Sequence, residues 1–286
     1  MTLDKNTDIL IVGLGLIGGS YADGLTKGGY KVRAITADKG DIDYAVGRGM
    51  ITGGSDEVTA DTVGTADIII FALYPHIFVE WIEKYGHLIK PGAVITDVTG
   101  VKSAIVDKVQ SILPDGVEFI AAHPMAGREV SGVKNASADI FRAANYIVVP
   151  TERNTDGAIE ICKQLGHILG FKDISVLSPE EHDEMIAFLS QLTHCIAVTL
   201  MCCNQSEGLE RYTGDSFRDL TRIARINDEM WSELFLLNRD KLLYEMEQFS
   251  QAFSQLRCYM IKGDREGIRQ MMRTSAERRR LFDKID

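Results

Sequence analysis

Short runs of consecutive apolar residues mark the first half of the chain, and longer stretches of helical periodicity mark the second. The strand-length runs fall at 8–12, 31–36, 68–73, 93–97, 118–122 and 146–149. Most are apolar throughout rather than alternating, the pattern of strands covered on both faces. Amphipathic stretches at 20–27, 41–48, 77–85 and 102–112 lie between them. Strand and helix in alternation predict an α/β fold with a doubly wound parallel sheet.

After residue 150 the pattern changes. Residues 156–169 read as a helix and 171–177 as one more extended segment. Ser178-Pro179-Glu180-Glu181 combines an N-cap serine, proline at the first helical position and an acid at the third, so a long helix is expected over 180–205. A second start at Asn227-Asp228-Glu229 opens periodicity that runs to 260, and Lys262-Gly263-Asp264 breaks the chain before a last helix to about 282. The expected division is residues 1–152 as a dinucleotide-binding domain and 153–286 as an all-helical domain for substrate binding and dimerisation. Leu192, Ile196, Val198, Leu200 and Met201 place apolar side chains around much of one helix. Helices apolar nearly all round are buried, and a domain of this size has little interior, so a homodimer through the helical half is expected. A membrane-facing role is set aside on the expectation that charged residues interrupt every helix.

Composition narrows the field further. A net charge of −10 argues against nucleic acid as a partner, because phosphate binding needs a concentrated basic face. The five cysteines contain no CxxC, and the adjacent Cys202-Cys203 suits neither a disulfide frame nor a metal site. No metal ligand set is expected. The apolar run at 8–12 is too short for a signal core, which with the reduced cysteines points to a cytoplasmic protein.

The first strand runs into Gly13-Leu14-Gly15-Leu16-Ile17-Gly18 and then a helix. In that setting Gly13 permits the tight turn, Gly15 lets a pyrophosphate approach the backbone and Gly18 lets helix and strand pack. The phosphates would rest on the free N–H groups of Leu16, Ile17 and Gly18 at the positive end of the helix dipole. This makes the first half a Rossmann-type domain. Leu73, at the end of the strand at 68–73, would line the same cofactor, and Thr36 and Asp38, after the strand at 31–36, would meet its adenosine ribose. Thr36 and Lys39 could receive a 2′-phosphate, whereas Asp38 suits a free 2′-hydroxyl, so the expected cofactor is NAD, with NADP as the alternative.

In a doubly wound sheet the loops after the strands gather at one edge, beside the nicotinamide. His123 sits at such a strand end, before Pro124, where an acid–base group would be useful at neutral pH. Three segments taken together, Gly13 to Ser20, His123-Pro124-Met125-Ala126-Gly127 and Phe217-Arg218-Asp219-Leu220-Thr221-Arg222-Ile223-Ala224, resemble the prephenate/arogenate dehydrogenases, the TyrA family. Asn227 to Trp231 resembles the family's Met-Trp segment. The resemblance implies prephenate dehydrogenase activity in tyrosine biosynthesis: hydride leaves C4 of the prephenate ring, C1 loses carbon dioxide and the product is 4-hydroxyphenylpyruvate. Arogenate, or the substrate of a hydroxyacid or imine dehydrogenase, is the alternative.

Carried over by motif, His123 matches the catalytic histidine and Arg222 the substrate-binding arginine. His194 matches a histidine near the substrate side chain, Glu129 an acid of the gating region, and Arg128 beside it could meet a substrate carboxylate. The chain departs from the family at Gly100. Relatives commonly carry Asp-x-x-Ser-Val-Lys there, with the serine hydroxyl near the reacting centre, whereas this chain reads Asp97-Val98-Thr99-Gly100-Val101-Lys102. Thr99 is the candidate substitute. The short stretch after the last helix leaves no room for a regulatory domain, so any feedback by tyrosine is expected at the active site or the dimer interface.

Overall fold

The computed structural model describes residues 3–282. Nine strands are β1 (Ile9–Val12), β2 (Val32–Ile35), β3 (Gly53–Ser55), β4 (Ile68–Phe71), β5 (Val94–Asp97), β6 (Glu118–Phe119), β7 (Ala121–Pro124), β8 (Asn145–Val149) and β9 (Asp173–Val176). The first six form a parallel sheet of order β3-β2-β1-β4-β5-β6. The helices among and just after them are α1 (Leu16–Lys27), α2 (Lys39–Gly47), α3 (Ala60–Val63), α4 (Pro75–Tyr85), α5 (Ser103–Ile112) and α6 (Asp156–Leu169).

The apolar runs divide by alternation. Ile9 and Ile11 of β1, with Ile68 and Ile70 of β4, enter one core. Leu10, Val12, Ile69 and Phe71 enter the other. Each strand therefore feeds two helical layers, which is why its sequence shows no polar face. Burying such side chains contributes about 1.5–3 kcal/mol each.

Two expectations are corrected by the packing. The run at 118–122 is two strands, because the chain leaves the parallel sheet after β6. β7 then pairs antiparallel with β8, and β8 pairs in parallel with β9, giving a second, three-stranded sheet. The strand near 146–149 therefore belongs to this second sheet. Beyond the division expected at 152 the α/β pattern continues. Residues 153–177 contain α6 and β9, and Ile161, Cys162, Leu165 and Leu169 of α6 lie in the first core.

Helices follow: α7 (Pro179–Ile186), α8 (Thr193–Cys203), α9 (Asp215–Thr221), α10 (Asp228–Leu237), α11 (Arg239–Lys262) and α12 (Arg265–Arg279). The helix expected over 180–205 is interrupted by a π-helical stretch at Ala187–Leu192. The helix expected from 228 to 260 breaks at Asn238. Residues 187–203 carry no charge, so charges do not interrupt every helix, and Pro179–Cys203 has the length and hydropathy of a membrane span. Phe188, Leu189 and Met201 on it are exposed in the single chain.

The chain divides into two compact units, one ending at Asn238 and one starting at Arg239. In the second, Asp264 accepts from Gly267 N at 2.9 Å and starts α12.

Candidate active site

The cofactor end is built by β1 and α1. Gly13 has φ +99°, and a Cβ there would lie 2.5 Å from Ala72 O. A Cβ on Gly18 would lie 1.9 Å from Gly13 O, whereas one on Gly15 would meet nothing within 4 Å. The first and third glycines are thus demanded by the fold, and the second opens onto free space, the side from which a pyrophosphate would approach. No side chain caps α1 at Gly15, so its first N–H groups stay available to an anion. Leu73 lies over the turn, its Cδ2 2.9 Å from the position of a Gly13 Cβ.

At the end of β2, Thr36 N donates to Ser55 O at 3.2 Å. The exposed Asp38 caps α2, its Oδ1 accepting from Gly40 N at 2.7 Å. Lys39 pairs with Asp43 at 3.2 Å. A helix-capping carboxylate and an already paired lysine thus follow β2.

His123 is on β7, half-buried. Its Nδ1 lies 2.9 Å from Nε2 of His182 on α7. His182 Nδ1 lies 2.7 Å from Asp183 Oδ1. Asp183 also accepts from Lys102 N and Ser103 N, each at 2.8 Å. Burial would raise the Asp183 carboxyl, but the hydrogen bonds from His182 and Ser103 hold it below the ordinary carboxylate value. An ionised Asp183 accepts only, so His182 must carry its proton on Nδ1. Burial keeps His182 below its ordinary value, against the pull of Asp183. Its Nε2 is therefore a lone pair, His123 donates to it from Nδ1, and Nε2 of His123 is left with a free lone pair. Burial first, then His182 and Lys102, push His123 well below the ordinary imidazole value. The chain of partners thus sets out a neutral base.

Sequence reasoning missed His182 and Asp183. The signal was present: a His-Asp pair one turn into a strongly capped helix, on the face that buries Ile186. Gln191 and Asn238 complete the buried support. Asn238 Nδ2 donates to Asp183 O at 2.9 Å and to Gln191 Oε1 at 2.8 Å, and Gln191 Nε2 donates to Leu234 O at 2.9 Å. Asn238 breaks the expected helix because its side chain is spent on this network.

Thr99 is buried, its hydroxyl bonds Asp97 and lies 3.0 Å from Val101 O, and Lys102 Nζ donates to it at 3.2 Å, so its oxygen is engaged within this cluster. At Gly100 a Cβ would meet Leu234 Cδ1 at 3.3 Å, so the position that relatives fill with serine is narrowed here by a leucine.

Arg222 follows α9, in a short 3-10 turn, and pairs with Glu129 on the loop after β7. His194, on α8, stacks on Trp231 of α10 with ring centroids 3.7 Å apart. Its Nδ1 donates to Ser190 O at 2.8 Å. The imidazole is held below its ordinary value by burial, and it senses both Glu129 and Arg222. Arg128 is exposed and makes no side-chain hydrogen bond or ion pair with the described residues. A π-helical stretch at Ala187–Leu192 lies between His182 and His194 along the chain. Among the described residues no group of three metal-ligating side chains occurs.

Comparison with known proteins gives the family. Residues 22–174 match the family model "Prephenate dehydrogenase, nucleotide-binding domain". Residues 178–274 match "Prephenate dehydrogenase, dimerization domain". The two matches meet near residue 176, where β9 ends. The prephenate dehydrogenase of Bacillus subtilis is 32% identical over 281 residues, covering 95% of this chain and 75% of that protein. The crystal structure of Aquifex aeolicus prephenate dehydrogenase in complex with hydroxyphenyl propionate and NAD+ superposes with a TM-score of 0.88 at 26% identity, covering 97% of this chain and 98% of the other. Synechocystis arogenate dehydrogenase superposes at 0.82 with 25% identity, over 97% of this chain and all of the other. Two family models in series and a relative matched over most of its length establish that this chain belongs to the prephenate dehydrogenase family.

Proposed function

We infer that this protein oxidatively decarboxylates prephenate to 4-hydroxyphenylpyruvate, using NAD. The observation that carries the reading is the His123 Nε2 lone pair, set by the relay to Asp183, on the strand whose following loop carries Glu129, the partner of Arg222.

The cofactor turn fits a dinucleotide: the space at Gly15 admits the pyrophosphate, and the uncapped start of α1 receives its charge. When bound, NAD supplies the hydride acceptor. The protein's own work is on the substrate. His123 Nε2 accepts the C4 hydroxyl proton as hydride leaves C4. The proton gained there is tolerated because His182 accepts the Nδ1 hydrogen bond and Asp183 stands behind it. Arg222 offers a planar fork to a substrate carboxylate, which displaces Glu129. His194, flat against Trp231, lines the side-chain end. Carbon dioxide leaves C1 as the ring becomes aromatic, and aromatisation drives the step. Thr99 supports the floor and does not touch the substrate.

Asp38 favours NAD over NADP, since its carboxylate repels a 2′-phosphate. Asp38→Ser is expected to raise the NADP-to-NAD ratio of kcat/KM by roughly tenfold, about 1.4 kcal/mol. The exposed Phe188 and Leu189 of the π-helical stretch and Met201 of α8 fit a second copy of the chain, as the dimerization-domain match suggests. The five free cysteines accord with a cytoplasmic enzyme.

The test is His123→Asn assayed with prephenate and with arogenate, each with NAD and NADP. The expected result is a loss of kcat of about 10²- to 10⁴-fold with NAD affinity retained. Near-normal turnover would refute the assigned base, and a preference for arogenate would reassign the substrate.

A further inference from the structure

Lys102 is fully buried, and the mechanism above gives it no part beyond a backbone contact. Its Nζ lies 2.7 Å from Asp97 Oδ2, 2.6 Å from Ala122 O and 3.2 Å from Thr99 Oγ1. Ala122 O is a carbonyl and only accepts. The Thr99 proton is spent on Asp97 or Val101 O, so Thr99 also turns a lone pair toward Nζ. Three acceptors require three N–H donors. A neutral amine has two and a lone pair, whereas an ammonium has three and none. The contacts select the charged form, although burial works against it.

That ammonium is bonded to the carbonyl immediately before His123, and the backbone N–H of the same residue holds Asp183 at 2.8 Å. Lys102 thus touches both ends of the relay. We propose that Lys102 is a positioning residue for His123: it fixes the strand end that carries the imidazole, and its charge keeps the imidazole neutral in more acidic solution. This rests on His123 being the base. The groups facing the imidazole are few. His182 and Asp183 come from α7, Asp97 from the end of β5 and Lys102 from the segment before α5. Arg128 and Glu129 follow on its own loop, and β8 sets the uncharged Ile147 opposite it. Asp97 is already paired with Lys102, and Asp183 acts through His182, so the ammonium's contribution is to resist protonation, in the same sense as burial and His182.

A lysine serving only to fasten the two sheets would leave the titration of His123 unmoved. The test is the pH profile of kcat/KM for prephenate, at saturating NAD, in Lys102→Met and Lys102→Gln; the second keeps two N–H donors. Because the base must be neutral, activity rises with pH through its pKa. Removing the cation is expected to move that acid limb upward by about half a unit or more, so that the rate falls more at pH 5.5 than at pH 8.5. An unmoved midpoint with only a lowered melting temperature overturns the proposal. Should neither variant fold, heteronuclear NMR of the lysine-labelled wild-type protein reads Nζ directly. An ammonium at pH 8 supports the proposal, and a neutral amine there overturns it. His123→Asn separates the two claims: turnover surviving in that variant defeats the assigned base itself, whereas its loss together with an unmoved limb in the Lys102 variants defeats only the role of Lys102.

Discussion

The two walls of the site are built by opposite means. On the base side His123, His182, Asp183, Lys102, Asp97 and Thr99 form one hydrogen-bonded network in which the Lys102 and Asp97 side chains are wholly shielded from solvent. On the carboxylate side Arg222 is 64% exposed and, among the described residues, rests on Glu129. A buried network is costly when any member is lost, because its neighbours are left unpaired at low dielectric. An exposed ion pair contributes about 0–1 kcal/mol and exchanges partners readily. The difference fits the two tasks. A base must hold one tautomer through every turnover, whereas a substrate-binding arginine must give up its resting partner each time a substrate arrives.

The sharpest way to break this contrast is at Asp183. In Asp183→Asn the amide can no longer accept from His182 Nδ1 and from both backbone N–H groups together. Where its NH₂ faces His182, the relay reverses, and His123 receives a proton on Nε2. Because the wrong tautomer disables the base, kcat is expected to fall by about 10²- to 10⁴-fold at pH 8, with the KM for NAD little changed. Steady-state kinetics beside a thermal melt checks it. A fall in melting temperature with kcat intact would show that the network holds the fold and not the tautomer.

On the other wall the expected loss is smaller and of a different kind. Arg222→Ala removes a charge-assisted contact worth roughly 1.5–3 kcal/mol, which corresponds to about a 10- to 150-fold rise in the KM for prephenate. The melting temperature should hardly move, since the side chain is exposed. Arg222→Lys keeps the charge but loses the fork and should recover only part of the affinity. Initial rates against prephenate concentration decide it. A fall in kcat with KM unchanged would instead place Arg222 among the residues that act only in the transition state.

These two walls were unequally legible in the sequence. The dinucleotide turn was readable because each glycine answers a local demand: a left-handed φ at Gly13 and a backbone contact at Gly18. His123 and Arg222 were readable as motifs. His182 and Asp183 were not, because a buried histidine beside an aspartate looks like any polar start of a helix until tertiary packing sets Nε2 against another imidazole. The switch of β7 to a second sheet was hidden for a similar reason. Residues 118–122 form one apolar run, and only the pairing of Ala121–Pro124 with β8 divides it. The break at Asn238 followed from long-range hydrogen bonds that no periodicity reports. Local chemistry showed in the chain, and partners distant in the sequence did not.

A third contact joins the walls. The start of α4 has Pro75 at its first position and no cap from Tyr74. Glu233 on α10 supplies one from a distance: Oε1 accepts from His76 N at 2.8 Å, and Oε2 lies 2.8 Å from His76 Nδ1. Asn227 Nδ2 donates to Tyr74 OH at 3.1 Å beside it. The β4–α4 loop, which borders the cofactor turn through Leu73, is thereby tied to the helix that carries Trp231. A carboxylate at a helix N-terminus contributes about 0.3–1 kcal/mol, and the half-exposed pair with His76 adds little. Glu233→Gln keeps one acceptor and removes the charge. It should therefore raise the KM for NAD and for prephenate together by less than about fivefold, with kcat preserved. Global fitting of initial rates in both substrates measures this. A change confined to one substrate would mean that Glu233 serves a single wall and that the two halves of the site close independently.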